Sequence, residues 1–200
     1  MENYKRQLKE YNIFHNDAGF DWLYPEHYQL MSEKQWTPLA VARKAAEFLA
    51  EPDAKVLDIG SGIGKFCIVG GHYFPETFFY GVEQRYELIL LSEEVKRYTG
   101  LQNANFIYAN ITQINFKEFD HFYFYNSFYE NIDPINKIDD TIETTYSLYA
   151  FYNQYLLSVL KEKPSGTRLV TYHSSEREIP PEYLLVDVSF DAALKMWIKQ

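Results

Sequence analysis

The 200-residue chain is poor in several things at once, and each shortage excludes something. A single cysteine, Cys67, allows no intrachain disulfide, so the framework is not that of a small secreted domain. No stretch approaches the roughly 20 apolar residues of a membrane span. The opening "MENYKRQLKEYNIF" holds no apolar segment of signal-peptide length. A soluble cytoplasmic protein is the expectation. Cations are outnumbered, with 19 Lys and Arg against 28 Asp and Glu and a formal net charge of -9. General nucleic-acid binding depends on Lys and Arg neutralising phosphates and is not expected. No internal repeat or low-complexity linker divides the chain.

What is present suits one soluble domain with a proper core, at 46% apolar and 24% charged residues. The 18 Tyr and 15 Phe are more than usual, and rings with polar tips suit half-exposed surfaces or a pocket lining.

Residues 1–36 are polar and aromatic with weak periodicity and predict one or two short helices. Thr37 reads as an N-cap with Pro38 in the first helical position, and Val41, Ala45 and Phe48 then recur at helical spacing. "KVLDIG" predicts a strand running into a glycine loop, with a helix from about Gly64. "TFFYGVE" predicts a second strand. Arg85 to Tyr98 predicts a helix with Leu88, Leu91, Val95 and Tyr98 on one face, closed by Gly100. "NFIYAN" and "FDHFYFYN" are the third and fourth strands. Asp140 and Glu143 have capping-box spacing at the head of a long helix whose face runs from Ile142 to Leu160. "TRLVTYH" is a fifth strand. In "YLLVDVSF", Leu184, Val186, Val188 and Phe190 alternate with other residues, and "LKMWIK" alternates again after the turn "DAA". That pattern predicts an antiparallel hairpin. The expected fold class is α/β: a doubly wound, mostly parallel seven-stranded sheet with an antiparallel C-terminal hairpin.

The chemistry is concentrated in "VLDIGSGIGKF" (Val56 to Phe66). Strand, glycine loop and helix bring backbone close to a ligand at a helix N-terminus, although a tight turn between buried elements would use the same glycines. Gly60, Gly62 and Gly64 depart from the dinucleotide fingerprint, whose third glycine falls one residue later. Asp58 would repel a pyrophosphate and suits a ligand bearing an amino group.

These residues resemble motif I of the class I S-adenosylmethionine (SAM) methyltransferases. The resemblance implies that Asp58 is tied, directly or through water, to the amino end of the methionine moiety, and that Gly60, Ser61 and Gly62 let that moiety lie against the backbone. "YGVEQR" places Glu83 at a strand end 19 residues after Gly64, where the family's second motif accepts both ribose hydroxyls, with Gln84 beside it. Asn110, followed by Ile111, matches the position that contacts the adenine; Asn after a strand is also an ordinary turn residue. The resemblance covers about residues 37–200, the expected SAM-binding domain, and leaves 1–36 as a helical, aromatic cover. In that cover Trp22, Tyr24, Tyr28 and Trp36 are expected to form a lid, and Thr37 to touch the methionine carboxylate; plain aromatic packing is the alternative.

At the end of the fourth strand stands "YFYNSFYE". Amino-methylating relatives carry Asn or Asp, two prolines and an aromatic here; Asn126 and Tyr129 keep the outer positions, while Ser127 and Phe128 replace the prolines. The segment, with "GSGIGK" and "YGVEQ", also resembles the non-SET histone lysine methyltransferases. Either comparison implies that the Asn126 carbonyl accepts from a target amino group, with Tyr129 or Phe128 facing the developing cation. Asn126 and Tyr129 are the expected catalytic pair, and Asn126 also borders the cofactor. The expected acceptor is an amino nitrogen, of a protein lysine or a small molecule, in a monomer or homodimer. Small-molecule O-methylation, NAD-dependent oxidoreduction and SAM binding without catalysis remain alternatives. Metal-dependent relatives carry acids at the ends of strands four and five; Asn126 and His173 stand there, so no metal is expected. His173 reads as structural or as a base, His121 as remote from the chemistry, and Cys67 as an apolar filler.

Overall fold

The structure, a computed structural model, describes residues 13–200. Five short apolar runs form parallel strands: β1 (Lys55–Ile59), β2 (Phe78–Glu83), β3 (Ala104–Tyr108), β4 (His121–Phe124) and β5 (Arg168–Tyr172). β6 (Tyr183–Ser189) and β7 (Leu194–Lys199) close the chain as an antiparallel hairpin, with β7 against β5. The order is β3-β2-β1-β4-β5-β7-β6. The chain steps outward from β1 to β3 and returns to lay β4 on the other side of β1. That reversal opens a crevice at the carboxyl ends of β1 and β4, where ligands of doubly wound sheets bind.

The alternation along each strand sorts side chains onto two faces. Val56, Tyr123 and Val170 lie on the face covered by α4 (Leu39–Leu49), α5 (Lys65–Tyr73) and α6 (Tyr86–Thr99). Leu57, Phe122, Phe124 and Leu169 lie on the other, against Leu156 and Leu160 of α7 (Tyr146–Lys161). Three short helices precede α4, namely α1 (Asp17–Asp21), α2 (Glu26–Gln29) and α3 (Ser32–Gln35), and they bury Phe20, Tyr24, Tyr28 and Trp36 in the first core. Among the described residues no helix is long and apolar enough to cross a membrane.

Several expected details are corrected. Residues 17–35 hold three short helices rather than one or two, and the part of the expected helical segment in 1–12 lies outside the described residues. Thr37 is not the cap of α4: Pro38 takes that place with extended backbone, and the Thr37 hydroxyl is occupied by Tyr123. The long helix starts at Tyr146, not at Asp140, and its cap is Thr145, whose side chain accepts from Leu148 N–H. Ile142 lies outside it, and Tyr146 is exposed. On α6 the buried stripe is Leu88, Ile89, Ser92 and Val95, and Tyr98 faces solvent. β6 is the sheet edge, so its alternation buries neither face: Leu184 is 56% exposed, and Leu185, Val186 and Val188 are exposed too.

Candidate active site

The loop after β1 is left-handed at Gly60 (φ 74°), Gly62 (φ 53°) and Gly64 (φ 78°), a conformation costly for residues with a Cβ. The amides of Gly60 and Ser61 both donate to the Val82 carbonyl, at 3.0 and 2.9 Å, which pins the loop to β2. Close packing makes a second demand. A Cβ on Gly60 would stand 2.5 Å from that of Ser127, and one on Gly62 would stand 2.7 Å from the Trp36 ring.

Around this loop lies a cavity of about 350 Å³, within the size range of small-molecule sites. Thr37, Asp58, Gly60, Ser61, Gly62, Glu83, Gln84, Asn110, Ile111, Asn126 and Tyr129 all line it, so the residues singled out from sequence meet at one place. His173 joins them from the end of β5. Of the four expected lid aromatics only Trp36 reaches the wall: Tyr24 and Tyr28 are buried behind it, and Trp22 is 45% exposed. Tyr24 donates to the Ile63 carbonyl at 3.0 Å and Trp36 Nε1 to the Tyr28 carbonyl at 2.7 Å, so these rings brace the glycine loop and one another.

Asp58 is 3% exposed, and burial, with the Glu83 charge second, pushes its carboxyl well above the ordinary value. The Cys67 thiol donates weakly to it at 3.8 Å, so the expected apolar filler also steadies the acid. Glu83 is buried as well, and burial raises it; Arg85 and two backbone amides oppose that rise. Glu83 Oε1 accepts from the amides of Gln84 (2.8 Å) and Arg85 (2.9 Å), and Oε2 from Gly62 N–H (3.1 Å). Two buried carboxylates thus face one cavity, and a cationic or multiply hydroxylated ligand would relieve both. Ser61 Oγ is buried and has no partner among the described residues, which leaves a hydrogen-bonding position for a ligand.

The far side of the cavity is aromatic and amide-rich. Asn126 follows β4 with φ 43°, a left-handed geometry Asn tolerates better than most residues. Its carboxamide makes no hydrogen bond among the described residues. Tyr129 begins a 3₁₀ turn, Tyr129–Asn131, and is half exposed. Tyr125 donates to the Lys34 carbonyl at 3.1 Å, and its phenol is pushed up to about 12 by burial, then by Tyr172, so it stays protonated. His173 is also left-handed, at φ 53°, and its ring packs on Tyr172 and Tyr125. Asn110 Nδ2 donates to Gln84 Oε1 (3.1 Å) and Tyr152 OH (2.7 Å), while its Oδ1 caps the Ile111–Gln113 turn. His121 sits at the opposite end of the sheet, 3.1 Å from Glu51. Among the described residues no group of three His, Cys, Asp or Glu side chains is arranged to hold a metal ion.

Among the wall residues not singled out from sequence are Tyr123, Lys65 and Arg85. Tyr123, in register with Asp58, places its hydroxyl 3.0 Å from Thr37 Oγ1 and stacks on Phe66 at 4.0 Å. Lys65 pairs with Asp17 (2.6 Å) and Asp21 (2.7 Å). Arg85 pairs with Glu130 and Asp139. The partners of the two cations lie 44 to 54 residues away, beyond any local spacing rule.

A family model described as a methyltransferase domain matches residues 50–194. No curated protein matches the sequence. Among solved structures the fold is similar to TrmN from Thermus thermophilus, with TM-score 0.58, 18% identity, and 84% of this chain and 50% of that one covered. It is similar also to an RNA methyltransferase from Salinibacter ruber in complex with S-adenosyl-L-homocysteine, with TM-score 0.57, 18% identity, and 82% and 92% covered. A third is precorrin-6y C5,15-methyltransferase from Geobacter metallireducens GS-15, with TM-score 0.56, 11% identity, and 84% and 91% covered. This chain therefore spans half the length of the Thermus protein and nearly all of the other two.

Proposed function

The chain belongs to the methyltransferase-domain family, whose methyl donor is S-adenosylmethionine, and from that membership and the cavity's geometry we propose that it methylates an amino nitrogen. The observation that carries the cofactor's placement is the pair of buried carboxylates, Asp58 and Glu83, at adjacent strand ends beside a left-handed glycine loop; the free Asn126 carboxamide carries the choice of an amine. SAM supplies a methyl group already activated on a sulfonium, so the protein's task is alignment and exclusion of water. Asp58 would hold the cationic amino group of the methionine moiety. Glu83 keeps lone pairs for the two ribose hydroxyls after accepting its three amide bonds. The unpartnered Ser61 hydroxyl and the backbone of Gly60 and Gly62 suit the same ligand, while Thr37 lies where a carboxylate would end. Gln84, Asn110 and Ile111 form the wall for the base.

On the acceptor side, Asn126 offers a free carboxamide, and Tyr125 and Tyr129 offer aromatic faces to a developing cation. Glu33 and Asp133 also line the cavity and favour an amine over an acidic acceptor. An excess of nine negative charges argues against a polyanionic substrate. Tyr125 stays protonated and is not a base, so the amine must arrive neutral or release its proton to solvent or His173. In this reading residues 37–200 form the cofactor domain and the preceding segment its cover.

The test is transfer of labelled methyl from SAM to a panel of lysine peptides, small amines and phenols. Label is expected in amines, and Asn126→Ala is expected to lower the rate about a hundredfold, the usual effect of losing substrate alignment. Label confined to phenols or carbon, or an Asn126→Ala enzyme as fast as the parent, would sink the amine assignment.

A further inference from the structure

Arg85 lines the cavity but has no role in the transfer reaction as derived so far, yet its side chain is 3% exposed and touches three carboxylates. Nη1 and Nη2 donate to the two oxygens of Glu130 at 3.0 and 2.8 Å, Nε donates to Asp139 at 2.9 Å, and Nη1 lies 3.9 Å from Glu83 Oε1. The three acids come from different places. Glu83 ends β2 on the nucleoside side of the cavity. Glu130 lies in the turn that begins with Tyr129, and Asp139 lies in the irregular chain leading to α7, where it also binds the amide of Thr141 at 2.9 Å. A guanidinium can hold this arrangement because its planar, rigid fork chelates both oxygens of Glu130 while Nε reaches Asp139; an ammonium is a point charge without that fork.

We propose that Arg85 is a positioning residue that sets residues 126–139, the segment carrying Asn126 and Tyr129, against the nucleoside side of the site. A ligand on Glu83 alters the field at Arg85 and so the hold on Glu130 and Asp139. Occupancy at Glu83 and ordering of 126–139 are then linked, and linkage of this kind is reciprocal. The start of the segment is anchored independently, by Ser127 donating to the Ile59 carbonyl and by Phe128 in the second core. Beyond it residues 132–145 form no helix or strand, and what holds them besides Arg85 is Asn136 on Lys34 and Gln35 of α3, the Thr145 amide on Asn131, and Ile138 against the first core. The inference rests on the reading of Glu83 as the ribose acid.

The experiment is amide hydrogen exchange of residues 126–139 with and without S-adenosylhomocysteine, in the parent protein, Arg85→Lys and Glu130→Gln, with the dissociation constant measured alongside. The parent is expected to gain protection about tenfold on binding. Arg85→Lys, which keeps the charge and loses the fork, is expected to bind several-fold more weakly and to show no such gain. Glu130→Gln removes the same arm from the other side and gives the same answer if Arg85→Lys does not fold. A merely structural arginine would lower protection equally in both ligand states and leave the gain intact. An unchanged gain in a variant that binds, or no gain in a parent that binds, overturns the inference alone. Failure of the parent to bind S-adenosylhomocysteine overturns the cofactor reading and this inference with it.

Discussion

Asp58 lies on a strand whose neighbours on the same face are apolar, and its carboxyl has Cys67 as its hydrogen-bond donor. Folding therefore binds its proton more tightly than the unfolded chain does. The sign follows: the contribution of Asp58 to stability is most favourable at acid pH and falls as pH rises from the ordinary 3.8 through the raised value of the folded state. Asp58→Asn removes that penalty. The variant is expected to be about 1 kcal/mol more stable than the parent near neutral pH, a usual gain when a functional strain is relieved. The advantage should shrink as pH falls towards 4, and S-adenosylhomocysteine should no longer raise the melting temperature. Thermal unfolding across pH checks both halves; a variant less stable at neutral pH would mean that the acid is already paired. Asp58, Glu83 and Asn126 were legible in the sequence because each stands at the end of a short apolar run, where chain order alone fixes position. Tyr123, Lys65 and Arg85 were not, because what each of them touches is brought near only by the fold.

The start of α7 shows how local rules compete. Asp140 and Glu143 have the spacing of a capping box, but Thr141, Thr144 and Thr145 crowd the same stretch and favour caps and turns over helix interior. The chain resolves the competition at Thr145, which accepts from Leu148 N–H at 3.2 Å, while Asp140 is exposed and pairs with Lys137. Thr145→Ala is expected to cost about 1 kcal/mol by urea unfolding, and Asp140→Ala close to nothing. The reverse ranking would restore the earlier start. The strands were legible as elements, and their parallel sense followed from the intervening helices except between β3 and β4, which two 3₁₀ turns, Ile111–Gln113 and Phe116–Glu118, connect. What β6 buries was not legible, because period-2 alternation says that two faces differ and not whether anything covers either of them. At the edge, beyond β7, no described residue covers it, and the bulge between Leu185 and Asp187 twists the edge further.

Across the whole molecule, the first 36 residues had no motif to place them, and the structure shows what attaches the part of that segment it describes. Lys65, in the first turn of α5, is buried against Asp17 and Asp21 of α1, and Ser32 at the head of α3 donates to Asp21 as well. The helix that starts behind the glycine loop is thereby joined to two of the three short helices that cover it. Lys65→Ala would leave Asp21 buried without its cation, while the half-exposed Asp17 would recover water. Breaking such a pair from one side costs about 3 kcal/mol, which for a domain of this size lowers the melting temperature by roughly 6–12 °C. Asp21→Asn in the same chain should recover part of that loss, since the stranded charge is then gone, and the double-mutant cycle should report a clear coupling. The cover also carries Trp36, whose ring stands against Gly62, so its loosening must reach the cofactor loop. S-adenosylhomocysteine affinity is therefore expected to fall in Lys65→Ala and to recover in the double variant in step with stability. A melting temperature within roughly 2 °C of the parent would mean that aromatic packing by Phe20, Tyr24 and Trp36 holds the cover unaided, and the lysine would then be a passenger of the loop rather than its clamp.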